Sequence, residues 1–337
     1  MNNPVSTGRW RPAIAALIFI LSLPPVPALV GADLPDNLYE KREVTILITD
    51  SGLGGISVAA YLEKGLRERP VFRKVRLVYA SALPSTSILY NSMERHSEKV
   101  RVFDKALDGF IINYRPDVIL IACNTLSVLY PETEFASAAP IPVISIVDFG
   151  VELMDRFLTE TVGGSVIILG TETTIEQGTH RDFLFRLGHR EQLIGTKACP
   201  MLESEIQSGP DSDVVRSMIE MFAWEYTATN AARGDTIGLG LCCTHYPYAA
   251  DAFRNSFSSV LDRPTIVLDP NRAMAEALMT AGAVRFKHCR TTVEVVSRAE
   301  IPIHDRQAIA AAVRPISVVV SEHLVDYKLN PELFSYP

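Results

Sequence analysis

The chain alternates two kinds of apolar pattern. Near-continuous, β-branched runs of strand length occur at Val44–Thr49, Val75–Tyr79, Val118–Ala122, Val143–Ile146, Val166–Gly170, Leu193–Thr196, Ile237–Leu241 and Thr265–Leu268. They lack the in–out alternation of half-exposed strands, which predicts strands covered on both faces of a parallel sheet. Between them lie segments with helical spacing of apolar residues, among them Ile56–Leu66, Ser97–Asn113, Asp213–Ala231 and Arg272–Ala283. Strand and helix alternating in this way predict an α/β fold with mainly parallel sheets. A later helical run, Gln307–Val313, carries no motif.

Composition narrows the class. The 337 residues suggest about two domains. With 47% hydrophobic and 21% charged residues, the chain is neither disordered nor a polytopic membrane protein. A net charge of −7 argues against a nucleic-acid surface.

Residues 1–32 form a separate object. Arg9 and Arg11 precede an apolar run, Ala13–Leu23, which Pro24-Pro25 closes. Small-residue patterns follow at Val26-Pro27-Ala28 and Val30-Gly31-Ala32. This is the layout of a secretory signal peptide, and the run is short for a spanning helix, so an uncleaved anchor is the weaker reading. The expected location is periplasmic or secreted.

Five cysteines, Cys123, Cys199, Cys242, Cys243 and Cys289, are too few, and odd in number, for a disulfide framework. No CxxC spacing suggests a metal knuckle, and no metal is expected. Cys199, Cys242 and Cys289 read as small hydrophobes. Cys123 and Cys243 differ, because each closes an apolar run and is followed by polar residues: Val118-Ile-Leu-Ile-Ala-Cys-Asn-Thr125 and Ile237-Gly-Leu-Gly-Leu-Cys-Cys-Thr-His245. Ligands sit at the carboxyl ends of parallel strands. Two equivalent halves could therefore present two thiols across one cleft. A third such place is Thr49-Asp-Ser-Gly-Leu-Gly-Gly55, a glycine-rich turn after the first run. It lacks the Gly-Lys-Ser/Thr of a P-loop and the third glycine of a dinucleotide fingerprint.

Taken together, Asp50-Ser51-Gly52-Leu53-Gly54-Gly55, Ala122-Cys123-Asn124-Thr125, Ala198-Cys199-Pro200-Met201-Leu202 and Cys243-Thr244-His245-Tyr246-Pro247 resemble the cofactor-independent glutamate racemases of the aspartate/glutamate racemase family, from about Val44 to Ala283. The resemblance implies two pseudo-symmetric α/β domains, residues 44–145 plus 246–320 and residues 146–245, with the active site between them. It implies that Cys123 and Cys243 face opposite sides of a substrate α-carbon, one taking a proton and the other delivering one. Asp50 would assist Cys123 and His245 would assist Cys243. Ser51, Asn124, Thr125 and Thr244 would hold the carboxylate and ammonium of a small amino acid, glutamate first. Such enzymes commonly supply D-glutamate to cell-wall peptidoglycan precursors and commonly form homodimers.

Two positions depart from the family pattern. The Pro-Tyr-Gly substrate loop is best matched by Leu89-Tyr90-Asn91, with Tyr90 and Asn91 as substrate-binding candidates. The glutamate expected after the Cys-Pro segment is Gln207, with Glu203 and Glu205 nearby. These departures leave two alternatives: a racemase or isomerase of another amino acid or dicarboxylic acid, and a non-catalytic exported amino-acid-binding protein.

Overall fold

A computed structural model describes residues 36–229 and 233–336; the segment read as an export signal, residues 1–32, lies outside the described residues. The chain first lays down β1 (Glu43–Asp50), β2 (Lys74–Ser81), β3 (Val118–Ile121) and β4 (Val143–Ser145). The helix Ile146–Glu160 then leads to β5 (Gly164–Gly170), β6 (Ile194–Ala198), β7 (Thr236–Cys242) and β8 (Thr265–Leu268). It closes with β9 (Arg290–Ser297) and β10 (Lys328–Leu329). Two sheets result, in the orders β10-β9-β2-β1-β3-β4 and β6-β5-β7-β8, with parallel neighbours throughout.

The successions β2-β1-β3-β4 and β6-β5-β7-β8 are the same arrangement used twice, as the paired Cys-ended runs led us to expect. In each, the chain leaves a central strand to one side and returns on the other. The crevice between β1 and β3, and that between β5 and β7, are switch points of the kind that hold ligands. Register sets which loops meet there. Thr49 pairs with Ile121, so the Asp50 loop lies beside Cys123. Gly170 pairs with Cys242, so Thr171 lies beside Cys243.

Apolar helices cover both faces of the first sheet. Leu62 and Leu66 of the helix Ile56–Glu68 and Leu278 of the helix Pro270–Thr280 bury on one side. Phe103 and Phe110 of the helix His96–Tyr114 bury on the other. The second sheet has the same plan, with Ile219, Phe253 and Phe257 on one face and Met154 and Phe157 on the other.

The expected division at residue 246 does not match the strand pairing. The helix Ala250–Leu261 packs on the second sheet, and β8 pairs with β7. The chain returns to the first sheet at the helix Pro270–Thr280, which Asp269 caps by accepting from the Asn271 N–H. A four-residue edge strand carries no local signal of which sheet it will join, so the boundary was not legible. β9 also escaped the sequence reading, because polar Thr292 and Glu294 interrupt its apolar run. Glu294 is half-buried, paired with Arg76 at 2.9 Å and accepting from the Tyr114 hydroxyl.

Candidate active site

The two switch points face each other, and the side chains at their strand ends bond across the gap. Asp50 is fully buried at the tip of β1. Its Oδ1 accepts from the Gly52 N–H at 2.9 Å and its Oδ2 from the Gly55 N–H at 2.7 Å, which fixes the glycine turn. Thr244, from the other half, donates to Oδ2 at 2.7 Å. Burial raises the Asp50 carboxyl to about 6, and these donors oppose that rise by favouring the charged form. Gly54 is required here, since a Cβ on it would clash with the Thr244 hydroxyl and stand 2.7 Å from its backbone carbon.

Cys123 caps the short helix Asn124–Leu129, its sulfur accepting from the Leu126 N–H at 3.4 Å. The Ser51 hydroxyl lies 3.3 Å from the same sulfur. Ser51, not Asp50, is therefore the neighbour hydrogen-bonded to Cys123. Asp50 acts on it through charge, and burial together with that charge pushes the thiol up to about 12.

Cys243 follows β7, its sulfur 3.9 Å from His245 Nδ1. Burial raises this thiol well above its ordinary range, and Glu203, Cys123 and Asp50 add to the rise by charge. The two sulfurs thus share one electrostatic environment. Burial lowers His245 to about 4, with the Asp305 carboxylate pulling partly back. His245 is therefore neutral near pH 7.

The remaining candidates spread around these thiols. Asn124 Oδ1 contacts His180 Nε2 at 3.0 Å. Thr125 bridges the halves through the Thr171 hydroxyl at 3.0 Å. Tyr90 is buried in the same cluster as Cys123, and burial raises its hydroxyl well above the ordinary range. Asn91 turns instead to the second half, where its Nδ2 donates to Glu203 Oε1 at 2.9 Å and its Oδ1 accepts from Thr173 at 3.3 Å. Gln207, at the position where glutamate was expected, contacts His245 Nε2 through Oε1 at 3.1 Å.

Among the described residues, three buried polar atoms around the thiols lack a hydrogen-bond partner: Tyr90 Oη, Asn124 Nδ2 and Glu203 Oε2. A hydroxyl, an amide donor and a carboxyl oxygen would suit a zwitterion that carries both a carboxylate and an ammonium group. Two openings of about 170 Å³ lie at the edge of this region. Gly52, Gln207 and Asp305 border one; Asn91, Thr171 and Glu203 border the other. No three metal-ligating side chains converge among the described residues.

Sequence reasoning did not find His180, whose only signal was a lone histidine in a polar helix, or Asp305, which lies outside every motif. Of the other cysteines, Cys199 and Cys242 are buried and Cys289 is half-buried; all five are free thiols.

Residues 70–278 match the Asp/Glu/Hydantoin racemase family. The chain belongs to that family. It is 28% identical over 233 residues to the glutamate racemase of Aquifex aeolicus, covering 68% of this chain and 80% of that one. Its fold is that of the glutamate racemase of Francisella tularensis, solved in complex with D-glutamate (TM-score 0.60, 20% identity, 85% of this chain and 95% of that one). The glutamate racemase of Campylobacter jejuni is similarly close (TM-score 0.59, 21% identity, 82% and 98%). The family match ends at residue 278, before β9, β10 and the helix Ile303–Val313, while the solved structures, at 82–85% of the chain, extend past it.

Proposed function

We propose that this protein interconverts the enantiomers of an amino acid, glutamate first, by moving the α-proton between Cys123 and Cys243. The observation that carries the reading is the placement of two buried free thiols at equivalent strand ends of two equivalent sheets. The likeness to glutamate racemases supports the substrate.

A carbon acid is weak, so its base must be close and dry. Both sulfurs are buried, and burial holds them as thiols until charge arrives. A substrate ammonium beside them would favour the thiolate by Coulomb attraction. The thiolate takes the α-proton, an S–H bond forms, and the C–H electron pair stays on the carbon. The opposite thiol gives up its proton to that carbon from the other face, which inverts the centre. Ser51 and the Leu126 N–H steady the charge on Cys123; His245 serves Cys243.

The buried carboxyl of Glu203 favours a second reading, an amino acid whose side chain donates hydrogen bonds, such as an amide. Export of the chain, suggested by residues 1–32, and a homodimer belong to the proposal as well. An exported enzyme would act on amino acids outside the cytoplasm, with cell-wall material the family expectation. Fractionation and sizing would measure these two properties.

The test is incubation of the reduced protein with both enantiomers of a panel of amino acids in deuterium oxide. Loss of the α-proton with inversion is expected for glutamate, and loss of that activity in Cys123→Ser and in Cys243→Ser. Unchanged turnover in either variant would refute the two-thiol mechanism. Binding without exchange would make the chain an amino-acid-binding protein.

A further inference from the structure

The helix Ile303–Val313, beyond the family match, brings a carboxylate to the active site. Asp305 is largely buried and accepts two hydrogen bonds, from Gln207 Nε2 and from the Ser208 hydroxyl, both at 3.0 Å. Gln207 is also bonded on its other side. Its Oε1 accepts from the Leu53 N–H at 3.0 Å and faces His245 Nε2 at 3.1 Å.

These contacts leave the Gln207 amide one orientation. A carboxylate only accepts, so the NH2 group must point to Asp305; a backbone N–H only donates, so the oxygen must point to Leu53. Both requirements agree. The atom facing His245 is therefore an acceptor, and His245 Nε2 must carry the proton. A neutral imidazole has one N–H, so Nδ1, the nitrogen facing the Cys243 sulfur, holds a free lone pair.

We propose that Asp305 is a positioning residue that sets the tautomer of His245 through Gln207, so that Nδ1 can take and return the proton of Cys243. Its catalytic meaning rests on the racemase reading above; the tautomer itself does not. In the step, the S–H bond breaks, an Nδ1–H bond forms, and the electron pair stays on sulfur. The imidazolium keeps its Nε2–H on Gln207, and the Asp305 charge lies behind it. A glutamine contacting His245 can thus be backed by a carboxylate from a remote helix.

The test uses the full chain with ¹⁵N-labelled histidine, the His245 signals being assigned by their loss in His245→Gln. The wild type is expected to show the Nε2–H tautomer. Asp305→Asn should keep it, because the new amide oxygen can still accept from Gln207 while its nitrogen donates to Ser208. Asp305→Ala leaves the Leu53 N–H alone to orient the Gln207 amide, so a flip costs one hydrogen bond instead of two; both tautomers should appear, with kcat lower several-fold in proportion to the active tautomer lost and KM little changed. Gln207→Glu added to Asp305→Ala places an acceptor directly on Nε2 and should restore tautomer and kcat. A single Nε2–H tautomer in Asp305→Ala would overturn the proposal. So would a loss of kcat that Gln207→Glu fails to restore. If the wild type racemises nothing, the racemase reading fails while the tautomer measurements still decide the role of Asp305.

Discussion

Thr244 donates its hydroxyl proton to Asp50 across 2.7 Å, and the two residues sit at the strand ends of different sheets. That bond joins the glycine turn of one half to the thiol loop of the other. Asp50 is buried, so its carboxyl depends on its donors. Thr244→Val keeps the shape and removes one of them. The expected cost is about 1–3 kcal/mol of stability, read by urea unfolding, with a matching fall in turnover. A variant as stable as wild type would show that the bond does not hold the halves together.

Gly54 lies against the same threonine. A Cβ there would meet the Thr244 backbone carbon at 2.7 Å, and backbone cannot swing aside as a side chain can. Gly54→Ala should separate the two loops, costing about 1–3 kcal/mol and most of the activity. Gly188, with positive φ but nothing within 4 Å, is a control for the backbone effect alone. Gly188→Ala should lose stability through strain and leave turnover unchanged.

His180 is buried, and burial lowers it to about 4 from an ordinary value of 6.5. Between those values the unfolded chain binds a proton that the folded chain refuses. Stability from this group is present above pH 6.5 and lost as pH falls through 4, a swing of about 3 kcal/mol. His180→Gln keeps a donor toward Asn124 but does not titrate. Relative to this variant, wild type should gain that stability between pH 4 and 6.5; parallel unfolding curves would contradict the expected role. His180→Ala should instead raise KM, because Asn124 loses the contact that orients its free Nδ2.

Glu203 is held above its usual range mainly by burial. While protonated it can donate to a substrate carboxylate; once ionised it repels one. KM for glutamate should therefore rise as pH increases through the Glu203 ionisation. Glu203→Gln donates at every pH and should flatten that rise. A KM profile identical in the two proteins would place the glutamate side chain elsewhere.

The sequence by itself determined the strands whose apolar runs are local and continuous, and the two Cys-ended tips, since side-chain pattern alone signals a buried parallel strand. It also determined the glycine turn, which a run of glycines after a strand makes legible. It did not determine the side on which β8 pairs, because four edge residues fit either sheet, or the presence of β9, because its polar residues break the pattern. Only the tertiary structure decided the polar contacts that tune the site: Asp50 with Thr244, 194 residues apart; Gln207 with Asp305, 98 apart; Asn124 with His180, 56 apart. A hydrogen bond needs its partners within about 3 Å, and no periodicity along the chain encodes that distance. The sequence therefore placed the thiols, while the folding of two sheets against each other decided which groups hold, charge and orient them.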